Sequence, residues 1–166
     1  METRTVSQGL KLTVAIVVLG LAGWLVSRSV FRNRGASDQA FFYDLRQKKV
    51  FTAPRDSVPP IKCLQGGEED GVRAILIATN GNPADLSART IAYLEKYSPT
   101  LKAQFLKARK EAGSLEMGRT EAMGHRFVKR LADSEWFPMN SPMGERILSD
   151  WAAPGPNGVV PVVCSP

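Results

Sequence analysis

GVRAILIAT, residues 71–79, is the run whose reading decides the fold. It is short and almost wholly apolar, rich in β-branched residues, and carries Arg73 as its one charge. Glu68-Glu69-Asp70 precede it and Asn80-Gly81-Asn82-Pro83 follow it, so turn residues stop it at both ends. An apolar run of this length with no polar parity predicts a strand buried on both faces, hence a central one.

Outward from it on the N-terminal side, Ala40–Leu45 (AFFYDL) and Val50–Ala53 (VFTA) are aromatic and β-branched runs separated by Arg46-Gln47-Lys48-Lys49. They predict a β-hairpin ended by Pro54, Pro59 and Pro60. The loop Gln65–Gly71 is acidic and glycine-rich. Its carboxylates lack the alternating spacing and terminal bidentate Glu of a calcium loop, which leaves a solvated turn.

On the C-terminal side, Asn82 and Pro83 read as a cap and first helical residue, with Asp85 in the positive first turn. They predict a helix with Leu86, Ile91 and Leu94 on one buried face and Tyr93 and Tyr97 beside it. Ser98-Pro99 repeats the signature, so a second helix begins there or the first one kinks. Its apolar face is Leu101, Phe105, Ala108 and Ala112, its end is Gly113, and Lys102, Lys107, Arg109 and Lys110 form a solvated face. Residues 113–124 are ambiguous. His125–Leu131 and Glu135–Phe137 predict a second hairpin, Ser141-Pro142 a short helix reaching Trp151, and Val159–Cys164 an edge strand, since Pro161 argues against a central one. The expected class is α+β, a largely antiparallel sheet covered by helices over residues 40–166.

A different reading governs the N-terminus. Leu12–Val26, LTVAIVVLGLAGWLV, lies uncharged between Lys11 and Arg28. With its neighbours it approaches the roughly 20 residues that a spanning helix needs. The expected organisation is a tail at 1–11, a transmembrane helix at 12–27, a basic linker at 28–39 and the domain at 40–166. Trp24, Arg28, Arg32 and Arg34 suit a retained helix at an interface, against the alternative of a cleaved signal peptide. A pilin leader does not fit, because Val14 stands where a Glu is required. Lys and Arg counts on the two flanks leave orientation open.

The formal charge of +6 is concentrated there: residues 1–37 hold +4 and residues 38–166 only +2. Arg28, Arg32 and Arg34 are placed to meet anionic lipid, whereas the nearly neutral domain argues against nucleic acid. Cys63 and Cys164 are the two cysteines, readable as one disulfide or as two free thiols. With His125 as the one histidine they cannot make a four-ligand zinc site, and no cofactor motif is present. His125 in its basic stretch reads as a surface residue. Pairing His125 with a Ser or with Cys63 is the one nucleophilic alternative, and Asp44 with Asp56 is too ordinary a pair for an acid–base role. Phe41, Phe42, Phe51, Trp136 and Trp151 read as core before they read as a stacking surface.

FFYDLRQKKVFTAPRDSVPPI, GVRAILIA, IAYLEKYSPTLKAQF, HRFVKRLADSEWFPMNSP and the closing CSP together resemble one group of uncharacterised, single-pass membrane-anchored proteins of planctomycete-type bacteria. The chain departs from that group at Lys48-Lys49, where a Gly is common, and near the tail, where an earlier Cys is missing. The resemblance implies a domain outside the cytoplasm and carries no activity or site residue. The functional expectation is therefore a membrane-anchored, non-enzymatic interaction or accessory domain with a protein partner, the alternative being a tethered hydrolase using His125 with a Ser or Cys63.

Overall fold

The strand predicted from GVRAILIAT is the middle of the sheet in a computed structural model that describes residues 37–63 and 67–166. The predicted tail 1–11, the span 12–27 and most of the linker 28–39 lie outside the described residues. Among the described residues no helix is long and apolar enough to cross a membrane. The strands are β1 (Gln39–Asp44), β2 (Lys49–Pro54), β3 (Gly71–Ala78), β4 (Arg89–Tyr97), β5 (Arg126–Lys129), β6 (Phe137–Pro138) and β7 (Val162–Val163). Three helices join them: α1 (Pro99–Glu111), α2 (Arg119–Gly124) and α3 (Pro142–Asp150). The class is α+β, and the sheet runs β2-β1-β3-β4-β5-β6, with β7 on β3. Every pairing is antiparallel.

The first hairpin forms as predicted, with Phe42 opposite Phe51 and their rings 5.9 Å apart. Its turn is tied by the Asp44 carboxylate, which accepts from the backbone N–H groups of Gln47 at 2.8 Å and Arg46 at 2.9 Å. The Gln47 bond chiefly holds the Asp44 pKa below the ordinary carboxylate value. Lys48 closes the turn at φ +54°, the left-handed conformation that glycine adopts without steric cost.

The helix predicted after Pro83 is not there. A single 3-10 turn at Leu86–Ala88, capped by Asp85, leads straight into β4. The misleading spacing has a physical cause. Ile75 pairs with Tyr93 and Leu76 with Ile91, so Ala92 is an extra residue bulged out of the ladder. A strand alternates faces every residue, and one bulged residue moves everything beyond it to the opposite parity. Ile91 and Leu94, three apart as on a helix, therefore meet the same core (Tyr43, Val72, Ala74, Leu76, Ala78 and Cys164). Thr90, Ile91, Tyr93 and Tyr97 supply the side chains that suit a pleated surface.

The second hairpin also forms, with Val128 opposite Phe137, and the short helix follows it as α3. Ser98 and Ser141 cap α1 and α3 through their hydroxyls, each followed by proline at the start of the helix. The left-handed residue ending α1 is Ala112 rather than Gly113. Cover by helices is partial. Ile147 and Leu148 of α3 pack on Val128 and Phe137, and Phe105 of α1 stacks on Tyr97 at 5.3 Å. The core around Leu94 is built from strands, Leu45, Trp136 and Cys164, with no residue from α1, α2 or α3.

α3 approaches the end of β6 so closely that a Cβ on Gly144 would overlap the Pro138 carbonyl oxygen. Backbone cannot yield as a flexible side chain does. Gly144→Ala is expected to lower stability by about 2 kcal/mol, read as a shift of the urea midpoint at unchanged slope.

Candidate functional site

Helix α1 carries a second apolar stripe beside the one that holds Phe105 and the buried Leu101. Pro99, Ala103 and Leu106, with Lys102, fall at spacings of three and four along the helix. They form one wall of a groove of about 590 Å³. The facing lining comes from Lys96 and Tyr97 at the end of β4, Phe127 of β5, and Trp136 just before β6. Lys96 and Phe127 are direct cross-strand partners. The volume lies in the usual range of small-ligand and side-chain pockets, and the walls are mostly apolar, as binding sites require.

The charges around the groove are unevenly matched. Lys102 donates to the Pro60 carbonyl and to Glu69, both at 2.6 Å. It is therefore anchored, not simply part of a solvated face. Lys107 pairs with Glu116, and Arg109 with Asp56. The acidic loop is neutralised in the same way, since Arg46 reaches both Glu68 and Asp70. Lys96 has no carboxylate partner among the described residues. Its ammonium sits 4.5 Å from the Trp136 ring centroid, and Lys129, which donates to the Asp133 carbonyl, lies 5.4 Å from the same ring. Burial, and then the charge of Lys129, lower the Lys96 pKa. A half-buried cation beside a second cation is the arrangement that an incoming anion relieves.

The structure brings His125 to a serine. His125 Nδ1 lies 2.9 Å from the Ser98 hydroxyl oxygen, and Ser98 lines the groove. That oxygen also accepts from the Leu101 backbone N–H at 3.1 Å, as the cap of α1. The next residue is Pro99, which has no N–H to place on a developing oxyanion. Among the described residues no carboxylate bonds to the His125 ring. The pair has the contacts of a joint between β4, α1 and β5, reinforced by Ser98 N–H donating to the His125 carbonyl at 2.8 Å.

Cys63 is held elsewhere. Burial and its hydrogen bond to Asp44 push its thiol up to about 11, so it carries almost no thiolate near neutrality. The two cysteines are free. Cys63 sits by Asp44, which pairs with Gly71, whereas the Cys164 N–H bonds the Leu76 carbonyl. Five residues of β3 separate those points by about 16 Å, beyond the reach of a disulfide. Asp44 serves the first turn and Asp56 pairs with Arg109, so these carboxylates are not brought into one site. Among the described residues no three His, Cys, Asp or Glu side chains are grouped to hold a metal ion.

Of the aromatic residues weighed for stacking, Phe42 is fully buried and Phe41 packs on the core, while Trp136 lines the groove. Sequence reading passed over Lys96, Leu106 and Phe127. The readable signal was Pro99, Ala103 and Leu106, an apolar stripe additional to Leu101 and Phe105. No protein-family model matches the chain, and no curated protein or solved structure matches it either.

Two outcomes follow. Cys63 is expected to alkylate slowly with iodoacetamide at pH 8 and to reach half its limiting rate near pH 11, the value set by its surroundings. Ser98→Ala is expected to cost about 1 kcal/mol through loss of the cap, seen in chemical denaturation, and fluorophosphonate is expected to leave Ser98 unlabelled in the native chain.

Proposed function

We propose that this chain is a single-pass, membrane-anchored, non-enzymatic binding domain that holds a protein partner in the groove between α1 and the β4–β5–β6 end of the sheet. The observation that carries the reading is Lys96. It is a half-buried cation without a carboxylate partner among the described residues, set in an apolar groove against Trp136. The indole face offsets part of the desolvation of that charge, and no anion among the described residues neutralises it, which leaves it available to an incoming one. The anchor is supported by the uncharged run Leu12–Val26 and the arginines that follow it. The resemblance described above supports an extracytoplasmic domain.

A second reading rests on one contact, Ser98 with His125 at 2.9 Å, which meets the distance needed by a nucleophile and its base. The capping bond to Leu101 and the missing amide at Pro99 weigh against it. The raised Cys63 pKa weighs against a cysteine version.

Photo-crosslinking in native membranes tests the proposal. Benzoylphenylalanine at Leu106, on the groove, is expected to give a discrete protein adduct, and at Val50, on β2, none. Deleting residues 1–36 is expected to move the chain from the membrane to the soluble fraction. Equal adducts at both positions, or an activity abolished by His125→Ala in a chain that still folds, would reverse the reading.

A further inference from the structure

We infer that the groove recognises an acidic peptide segment of the partner, one carrying an Asp or Glu close to a large apolar side chain. The inference rests on the binding reading above and gives its ligand a chemistry.

Four cations near the groove or on α1 and its flanks already have anions: Lys102 with Glu69, Lys107 with Glu116, Arg109 with Asp56, and Arg126 with Glu95. Lys96 and Lys129 do not, and both lie over one indole ring. A carboxylate at Lys96 would offset the mutual repulsion of the two ammonium groups and the desolvation that Lys96 already bears. Lysine offers a point charge rather than the planar fork of arginine, which suits a single carboxylate oxygen.

The apolar walls select the rest of the ligand. Phe127 and Trp136 offer ring surface, and Pro99 and Ala103 offer aliphatic surface across from them. Leu106 extends that wall to the surface and is 48 % exposed. A small acid would cover the ring surface and leave Leu106 in water. A peptide on a partner's surface covers both, with its apolar side chain on Trp136 and Phe127 and its neighbouring carboxylate on Lys96.

The test uses the full chain in phosphatidylcholine nanodiscs, probed with a random nine-residue phage-displayed peptide library and then with synthetic copies of the enriched peptides. Enriched peptides are expected to carry Asp or Glu within two positions of Trp, Phe or Leu. Replacing that Glu by Gln, or Lys96 by Met in the protein, is expected to weaken binding about tenfold, the effect of losing about 1.4 kcal/mol of charge pairing. Leu106→Asp, on the exposed side of α1, is expected to abolish binding without altering the melting transition. Neutral or basic enriched sequences, or binding indifferent to Lys96→Met, would overturn the inference. Displacement by dodecanoate or by phosphatidylglycerol in the disc, at concentrations below those of the peptide, would assign the groove to a small acid or a lipid. That outcome overturns the inference and leaves a binding groove standing. No enrichment, or binding unaffected by Leu106→Asp, would overturn both.

Discussion

The bulge at Ala92 is the constraint on which the rest of this domain depends. β3 alone could accept β4 in either of two face assignments. The extra residue places Ile91 and Leu94 together on the core side, opposite Leu76 and Ala74. Lys96, two residues beyond Leu94, lies on that side by plain alternation, across from Phe127, with Glu95 and Tyr97 on the other. Glu95 is thereby buried and bonded twice by Arg126, while Tyr97 meets Phe105 of α1. One backbone irregularity thus brings Ile91 and Leu94 onto one core.

From that point the chain order does much of the remaining work. β4 ends at Tyr97, and Ser98 immediately caps α1, so the helix cannot stray from the strand it follows. Ser98 is also bonded to His125, where β5 is about to begin. The groove sits at this three-way joint, lined by α1 on one side and by the ends of β4 and β5 on the other. Trp136 lines it from the loop before β6 and packs on the core at the same time. It is held from both lysines by the attraction of a cation to the face of an indole.

Much of this fold was legible in the residues, for identifiable reasons. GVRAILIAT is apolar on both parities, and only a central strand uses such a run. The two hairpins announce themselves by turn residues between aromatic runs, and Ser-Pro marks both long helix starts. β4 was misread because a bulge turns a two-residue period into a three-residue one, which is indistinguishable from a helix over so short a span. The groove was less legible. Lys96 resembles any surface lysine until Phe127, Trp136 and Lys129 are brought around it, and that requires the register of β4 on β5. His125 was weighed with an unspecified serine; Ser98 could be named only once α1 was known to begin at the end of β4.

Lys96 lies on the Trp136 side of β4, the side of Leu94 and Phe127. Proton NMR of the chain with assigned lysine and tryptophan side chains tests it most directly. The account predicts nuclear Overhauser contacts from the Trp136 ring protons to the Lys96 side chain, with the Lys96 Hε protons shifted upfield by the indole ring current. Contacts from Trp136 to the Glu95 side chain instead, with Lys96 Hε at its solvent-exposed position, would place Lys96 on the opposite face and contradict the account.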